Sequence, residues 1–327
     1  LNSLAIARND ERISFLRSVP FILAHVVCLG AIWTGARLSD VLVCIGLYYF
    51  RMFALTIGYH RYFAHRTFKT SRAFQFVLAF LGTLCTQKGV LWWAGHHRHH
   101  HKESDQEADV HSPTIRGFWW SHVGWVLCSK YEGTPTENIR DFARYPELRW
   151  LNRFHLLPPI ALAVSLYFIG GFSMLIWGFF ISTVLLWHGT FTINSLSHVF
   201  GNQRYKTTDT SRNNWLLALI TCGEGWHNNH HYHQNTANQG WFWWEWDPSY
   251  YLLKLMAWLG LVWDLRTPSD AVKYAHLRYG VEERAILCKS SRFFARPSVA
   301  RVRAAGEKVR EAIAAAREKI PVGEPVP

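Results

Sequence analysis

Apolar residues are gathered into long blocks separated by polar, histidine-rich stretches. Residues 19–36 and 39–58 form two such blocks, parted by a short link around Arg37. A third block runs from 155 to 193 and contains Gly170-Gly171 near its middle. A helix needs about 20 mostly apolar residues to cross a bilayer core. The third block is about twice that length, so the glycine pair predicts a tight turn between spans 155–170 and 172–193. The fold class expected is an all-α integral membrane protein with four transmembrane helices in two hairpins. Parity then puts residues 1–18, 59–154 and everything after 194 on one side. Nearly all Lys and Arg fall there, which makes that face cytoplasmic by the positive-inside rule. The polar segments would form a helical cytosolic cap.

Two further apolar stretches do not read as spans. Residues 74–90 predict a buried or partly embedded helix, since a crossing there would put later histidine clusters on the opposite face. Residues 241–263 combine a tryptophan cluster with Glu245, Asp247 and Lys254, the make-up of an amphipathic helix in the membrane interface. From Arg284 onward ten Lys/Arg face four Asp/Glu, which predicts a helix on an anionic lipid surface ending in a frayed 321–327. The domains expected are an N-terminal cytosolic segment 1–18, a membrane body 19–265 and a basic cytosolic tail 266–327.

Composition sharpens this. The 327 residues carry 35 Lys+Arg against 23 Asp+Glu, a net +12, yet only 18% are charged, against about a quarter in soluble domains. Aromatics reach 16%, with 17 Trp. A disordered chain, a small disulfide scaffold and a typical cytosolic enzyme are excluded. The six cysteines are scattered with no CxxC pair, so neither a disulfide framework nor a thiolate metal site is expected. The first residues lack the apolar core of a cleavable signal. No nucleic-acid motif accompanies the basic charge; membrane lipid is the partner it fits.

The 18 histidines are clustered: His60 and His65; the run 96–101, broken only by Arg98; and His227, His230, His231 and His233. Asn194 and His198 follow the last span. On a helix, residues at i, i+3 and i+4 share a face, so His97, His100 and His101 project together, as do His227, His230 and His231. His96, His99 and His100 fit the same spacing, and the register of the middle run stays open on spacing alone. His60 and His65, about 140° apart on an ideal helix, need a turn or helix end to converge. Neutral imidazole is a ligand for transition metals. Nine such rings exceed what one ion takes and fit two, and the shortage of carboxylates excludes the Glu-x-x-His bundle pattern. His25, His155, His188 and His276 read as ordinary core or surface residues.

These residues resemble the membrane fatty acyl desaturases of the stearoyl-CoA (delta-9) desaturase family. The boxes HxxxxH, HxxHH and HxxHH match His60/His65, His97/His100/His101 and His227/His230/His231. The flanks GYHRYFAHRTFK, ADVHSP, SHVGW, NSLSH and GEGWHNNHH match as well, over about residues 40–265. The resemblance implies two iron ions as cofactors, selects the register beginning at His97, makes His198 a ninth ligand and joins Asn194 to a metal through water. All nine histidines would then serve catalysis. It implies an acyl chain threaded through a bent tunnel, with Trp93, Gln87 and Phe191 as candidate walls. Asp105, Asp109, Glu224 and His111 are candidates to orient the ligand rings.

The implied reaction is O2-dependent insertion of a cis double bond, at carbon 9, into a long-chain acyl-CoA. Two electrons would come from a separate ferredoxin- or cytochrome-b5-like donor with its reductase, since no haem-binding HPGG element occurs. Gly95-His96 stand where eukaryotic acyl-CoA members carry Arg-Asp, which leaves acyl chains of membrane phospholipids as an alternative substrate. A related His-box hydroxylase is the nearest rival activity, and a metal transporter or sensor a more distant one. The motif wording resembles a bacterial member, so an inner-membrane location is expected.

Overall fold

The computed structural model describes residues 11–278. The basic stretch after Arg284 and residues 1–10 lie outside the described residues. The chain divides after Pro268. In the second unit the described part holds a short helix, Asp270–Tyr274, capped by the Ser269 side chain.

The first unit is built on helices. Helix α1 (Phe15–Cys28) and a single helical turn, Ala31–Thr34, precede α2 (Leu38–Phe53), which continues without a break as a π-helix over Ala54–Ala64. The combined Leu38–Ala64 rod is long and apolar enough to cross a membrane. So is the stretch Leu157–His198, but it is not one straight rod. Gly170 (φ −142°, ψ 18°) and Gly171 (φ 66°, ψ −157°) leave helical geometry, and Gly171 lies in the left-handed region that favours glycine. The break falls inside α3 (Leu157–Met174): residues 157–169 form one arm, and the other runs from Phe172 through a π-helical stretch, Leu175–Ile181, into α4 (Ser182–Asn194). A Cβ placed on Gly178 would lie 3.3 Å from Leu166, so the two arms fold back on each other as the glycine pair predicts. Phe168, Ile169 and Phe172 at the bend are exposed.

Polar groups on these apolar helices are paired. Arg51, fully buried on α2, donates to the Leu47 and Leu84 carbonyls and to Thr183 and Ser182. Such pairing is required where no water competes.

The 74–90 stretch is shorter as a helix than its hydropathy suggests. Helix α5 (Arg72–Thr83), capped by Ser71, stops before Thr86 and Lys88, which both have positive φ. A new helix, α6 (Val90–Glu103), then carries the middle histidine run. Residues 241–263 likewise form only one helical stretch, α7 (Pro248–Trp258), capped by Asp247. Val262–Trp263 instead pair antiparallel with Lys69–Thr70 in a two-residue ladder. Trp243 and Trp258 are over 80% exposed. The core joins the π-helix to α5, α6 and α7 through Tyr59, Phe63, Leu78, Leu91 and Leu253.

Candidate metal centre

Nine histidines from four segments converge into two adjacent sets. His60, His65, His97, His101 and His230 offer ligand nitrogens within 4.8 Å of one another, and His100, His198, His227 and His231 form a second such group. Local helical geometry explains the partition. Neighbouring residues on an α-helix point about 100° apart, so His100 and His101 look to different sides of α6. His97 and His101, four apart, serve the first set while His100 serves the second. The helix His227–Tyr232 repeats the device: His227 and His231 join the second set and His230 the first. The expectation that all three rings of each box project together is thus corrected.

His60 and His65 converge because their segment is π-helical. With i→i+5 bonding, seen here as His65 N–H to the His60 carbonyl at 3.1 Å, residues five apart stack one above the other. Their ring centroids are 4.8 Å apart.

In the first set the Nε2 atoms run His60–His230–His101–His97–His65, with successive separations of 3.1, 2.9, 3.0 and 2.9 Å. A neutral imidazole nitrogen carries either one proton or one lone pair. The three interior nitrogens each have two close neighbours, so these contacts cannot all be hydrogen bonds. A shared cation satisfies every lone pair at once. Metal–nitrogen bonds of about 2.1 Å at right angles put nitrogens about 3.0 Å apart, the spacing found. In the second set the Nε2 atoms of His198 and His227 are 3.2 Å apart, and His231 Nε2 is buried with no hydrogen-bond partner. Both sets fit metal ions.

Four carboxylates fix the rings. His60 Nδ1 lies 2.5 Å from Glu224, His100 Nδ1 3.0 Å from Asp109, His198 Nδ1 3.0 Å from Asp105, and His231 Nδ1 2.7 Å from Asp209. A proton on each Nδ1 leaves the Nε2 lone pair free for a metal. Burial by itself would raise all four carboxyls. The facing histidines lead the opposing effects, which hold each below its usual range. Burial, with repulsion from neighbouring rings, pushes His97, His101, His227 and His230 well below the ordinary imidazole value. They are neutral at pH 7, as ligands must be.

The remaining predicted residues take varied positions. His111 does not donate to a ligand ring: it stacks on His100 at 4.2 Å, and its Nδ1 is buried without a hydrogen-bond partner. Asn194 is half-buried, its carbonyl accepting from Ser121. His96 and His99 bond the carbonyls of Gly133 and Ala108 instead of joining either set, which selects the register beginning at His97. Trp93 stacks on His97 at 4.9 Å and donates to Gln87 Oε1 at 3.3 Å; Gln87 donates to Thr190 at 3.0 Å. Phe191 is buried beside Trp187 and Ala24. The sequence reading missed Asp209, Thr190 and Arg61. Arg61 is wholly buried and bridges Glu224 and Asp247, so it holds the carboxylate that holds His60. Its place directly after a box histidine was the one available signal.

A family model described as fatty acid desaturase matches residues 39–245. The chain is 38% identical over 256 residues to an acyl-CoA 5-desaturase of Anemone leveillei, covering 76% of this chain and 78% of the relative. It is 35% identical over 258 residues to an sn-2 palmitoyl-lipid 9-desaturase of Nostoc (77% and 90% covered). Over 272 residues it is 35% identical to delta-9 acyl-lipid desaturase 1 of Arabidopsis thaliana (81% and 87% covered).

Proposed function

Because the chain belongs to the fatty acid desaturase family, and is a fatty acyl desaturase, we propose that it places a cis double bond at carbon 9 of a long-chain acyl-CoA using two iron ions. The observation that carries this is the division of nine buried histidines into sets of five and four, each with nitrogens at metal-sharing distances. His60, His65, His97, His101 and His230 hold one iron. His100, His198, His227 and His231 hold the other, with Asn194 attached through water. When bound, the irons supply the activation of O2 with two electrons from a separate carrier protein.

The chain's own residues do the rest. Asp105, Asp109, Asp209 and Glu224 keep protons on the outer ring nitrogens and so keep the inner lone pairs aimed inward. The linked side chains Trp93, Gln87 and Thr190, with Phe191, line the acyl path and fix which carbon faces the irons. Positioning decides which of many equivalent CH2 groups reacts. His111 supports the ring of His100 by stacking. The chain crosses the membrane four times in two hairpins, over about residues 19–36, 39–58, 155–170 and 172–193. The sites and both ends face the cytoplasm, in a bacterial inner membrane. Acyl chains of membrane lipids are the second reading, favoured by the acyl-lipid 9-desaturases among the relatives.

The test is fatty acid analysis of a desaturase-deficient host expressing the chain with a ferredoxin and its reductase, double bonds being located by mass spectrometry. A new cis-9 monoene in the acyl-CoA pool ahead of the lipids is expected. A monoene at another carbon overturns the assignment of position, and one arising first on intact phospholipid overturns acyl-CoA.

A further inference from the structure

A pocket of about 390 Å³ opens beside the five-histidine set, lined by Ala64, His65, Arg66, Arg98, His101 and Lys102 together with two amides. Two of its walls are rings of the proposed first metal site. The four histidines of the other set are all buried, whereas half-buried His101 lines this pocket, so ring edges of the centre meet the surface here. Its floor is rigid: Arg98 donates to the carbonyls of Phe63, Ala64 and Asn138 and binds Asp141 with both arms. Its rim is basic. Arg66, turned outward by a positive φ of 53°, and Lys102 have side chains 63% and 76% exposed. The nearby acids, Asp141 and Glu103, are drawn down against Arg98, Arg66 and Lys102 and are only 24% and 21% exposed.

We propose that this pocket is the docking site of the electron donor, a soluble carrier protein with an acidic face around its redox group. The inference rests on the desaturase reading, which requires two electrons per turnover. Each docked carrier gives up one electron and leaves oxidised. Two such visits, with two protons from water and two hydrogens from the acyl chain, reduce one O2 to two waters. A substrate headgroup does not suit the pocket: the carbon that reacts lies many bonds from the headgroup, whereas the pocket touches the ligand rings themselves. Opposite charge across the interface raises the encounter rate and makes it sensitive to salt.

The experiment uses the iron-loaded protein in lipid nanodiscs, with Arg66→Glu, Lys102→Glu and the double variant. The probes are a plant-type ferredoxin and the soluble haem domain of a cytochrome b5. Binding is read by interferometry, electron transfer by the optical change of the reduced probe, and single-turnover product with dithionite as the reductant. The double variant is expected to weaken binding and slow transfer by about tenfold at low ionic strength, with the gap closing at high salt and the dithionite product unchanged. Wild-type protein that accepts electrons from neither probe, or a double variant that matches wild type with both, overturns the docking site. A raised KM for the acyl substrate with unaltered transfer also overturns it and assigns the pocket to the headgroup. Absence of product with dithionite in the wild type strikes the desaturase reading itself and takes the docking site with it.

Discussion

Each box histidine that has a carboxylate behind it is committed at the level of a single proton. Asp209 against His231 and Asp105 against His198 hold a proton on Nδ1, and removing that hold is costly to a metal. Asp209→Asn is therefore expected to weaken iron binding by roughly 10–100-fold while the protein remains folded, as read by iron titration beside circular dichroism; unchanged affinity would detach Asp209 from the site. His96 and His99 give the converse case. Since they bond main-chain carbonyls, His99→Ala retains iron and product whereas His97→Ala loses both, as elemental analysis and product assay will show. The box histidines were legible in the sequence because helical spacing is a local property. Asp209 was not, because it reaches His231 from a loop 22 residues away, and no spacing rule connects the two. His111 stacks on His100 and bonds no ligand ring.

Among the elements, two devices turn linear spacing into two sets of rings. An HxxHH helix splits its rings between neighbouring sets, and a π-helix brings residues five apart into register. The sequence showed that His60 and His65 needed unusual geometry, but not that the geometry would be an i→i+5 helix continuing a membrane-length rod. That choice is set by packing. A Cβ on Gly82 would lie 2.2 Å from the Tyr59 ring, so α5 lies tight against the π-helix only because this position is glycine. Arg61 locks the same segment to the third box through Glu224 and Asp247. Arg61→Leu leaves two buried carboxylates without their cation and is expected to destabilise the protein by about 3–5 kcal/mol, measured by thermal unfolding in detergent. Gly225 meets a stricter limit, since a Cβ there would lie 2.0 Å from the Ala218 main-chain nitrogen. Gly225→Ala is expected to cost about 1–3 kcal/mol and to shift His227, lowering iron content as well as the unfolding temperature.

Over the whole molecule, hydropathy made the long apolar stretches legible, and the turn at Gly170-Gly171 was read from two residues. Helix ends inside 74–90 and 241–263 were not, because tertiary contacts, including the pairing of Lys69–Thr70 with Val262–Trp263, outweigh local apolar character there. The proposed topology puts the Gly171 bend and the histidine sets on opposite faces of the membrane. An epitope inserted after Gly171 is expected to bind antibody from outside intact spheroplasts, and one on the cytosolic cap only after lysis. The division of the histidines into five and four implies two metal sites. It is tested most directly by counting iron per polypeptide in purified wild-type protein and in His101→Ala and His231→Ala. About two irons are expected in the wild type and a loss in each variant, His101→Ala from the five-histidine set and His231→Ala from the four. One iron per wild-type chain, or a His231→Ala protein that keeps the full count, would contradict it.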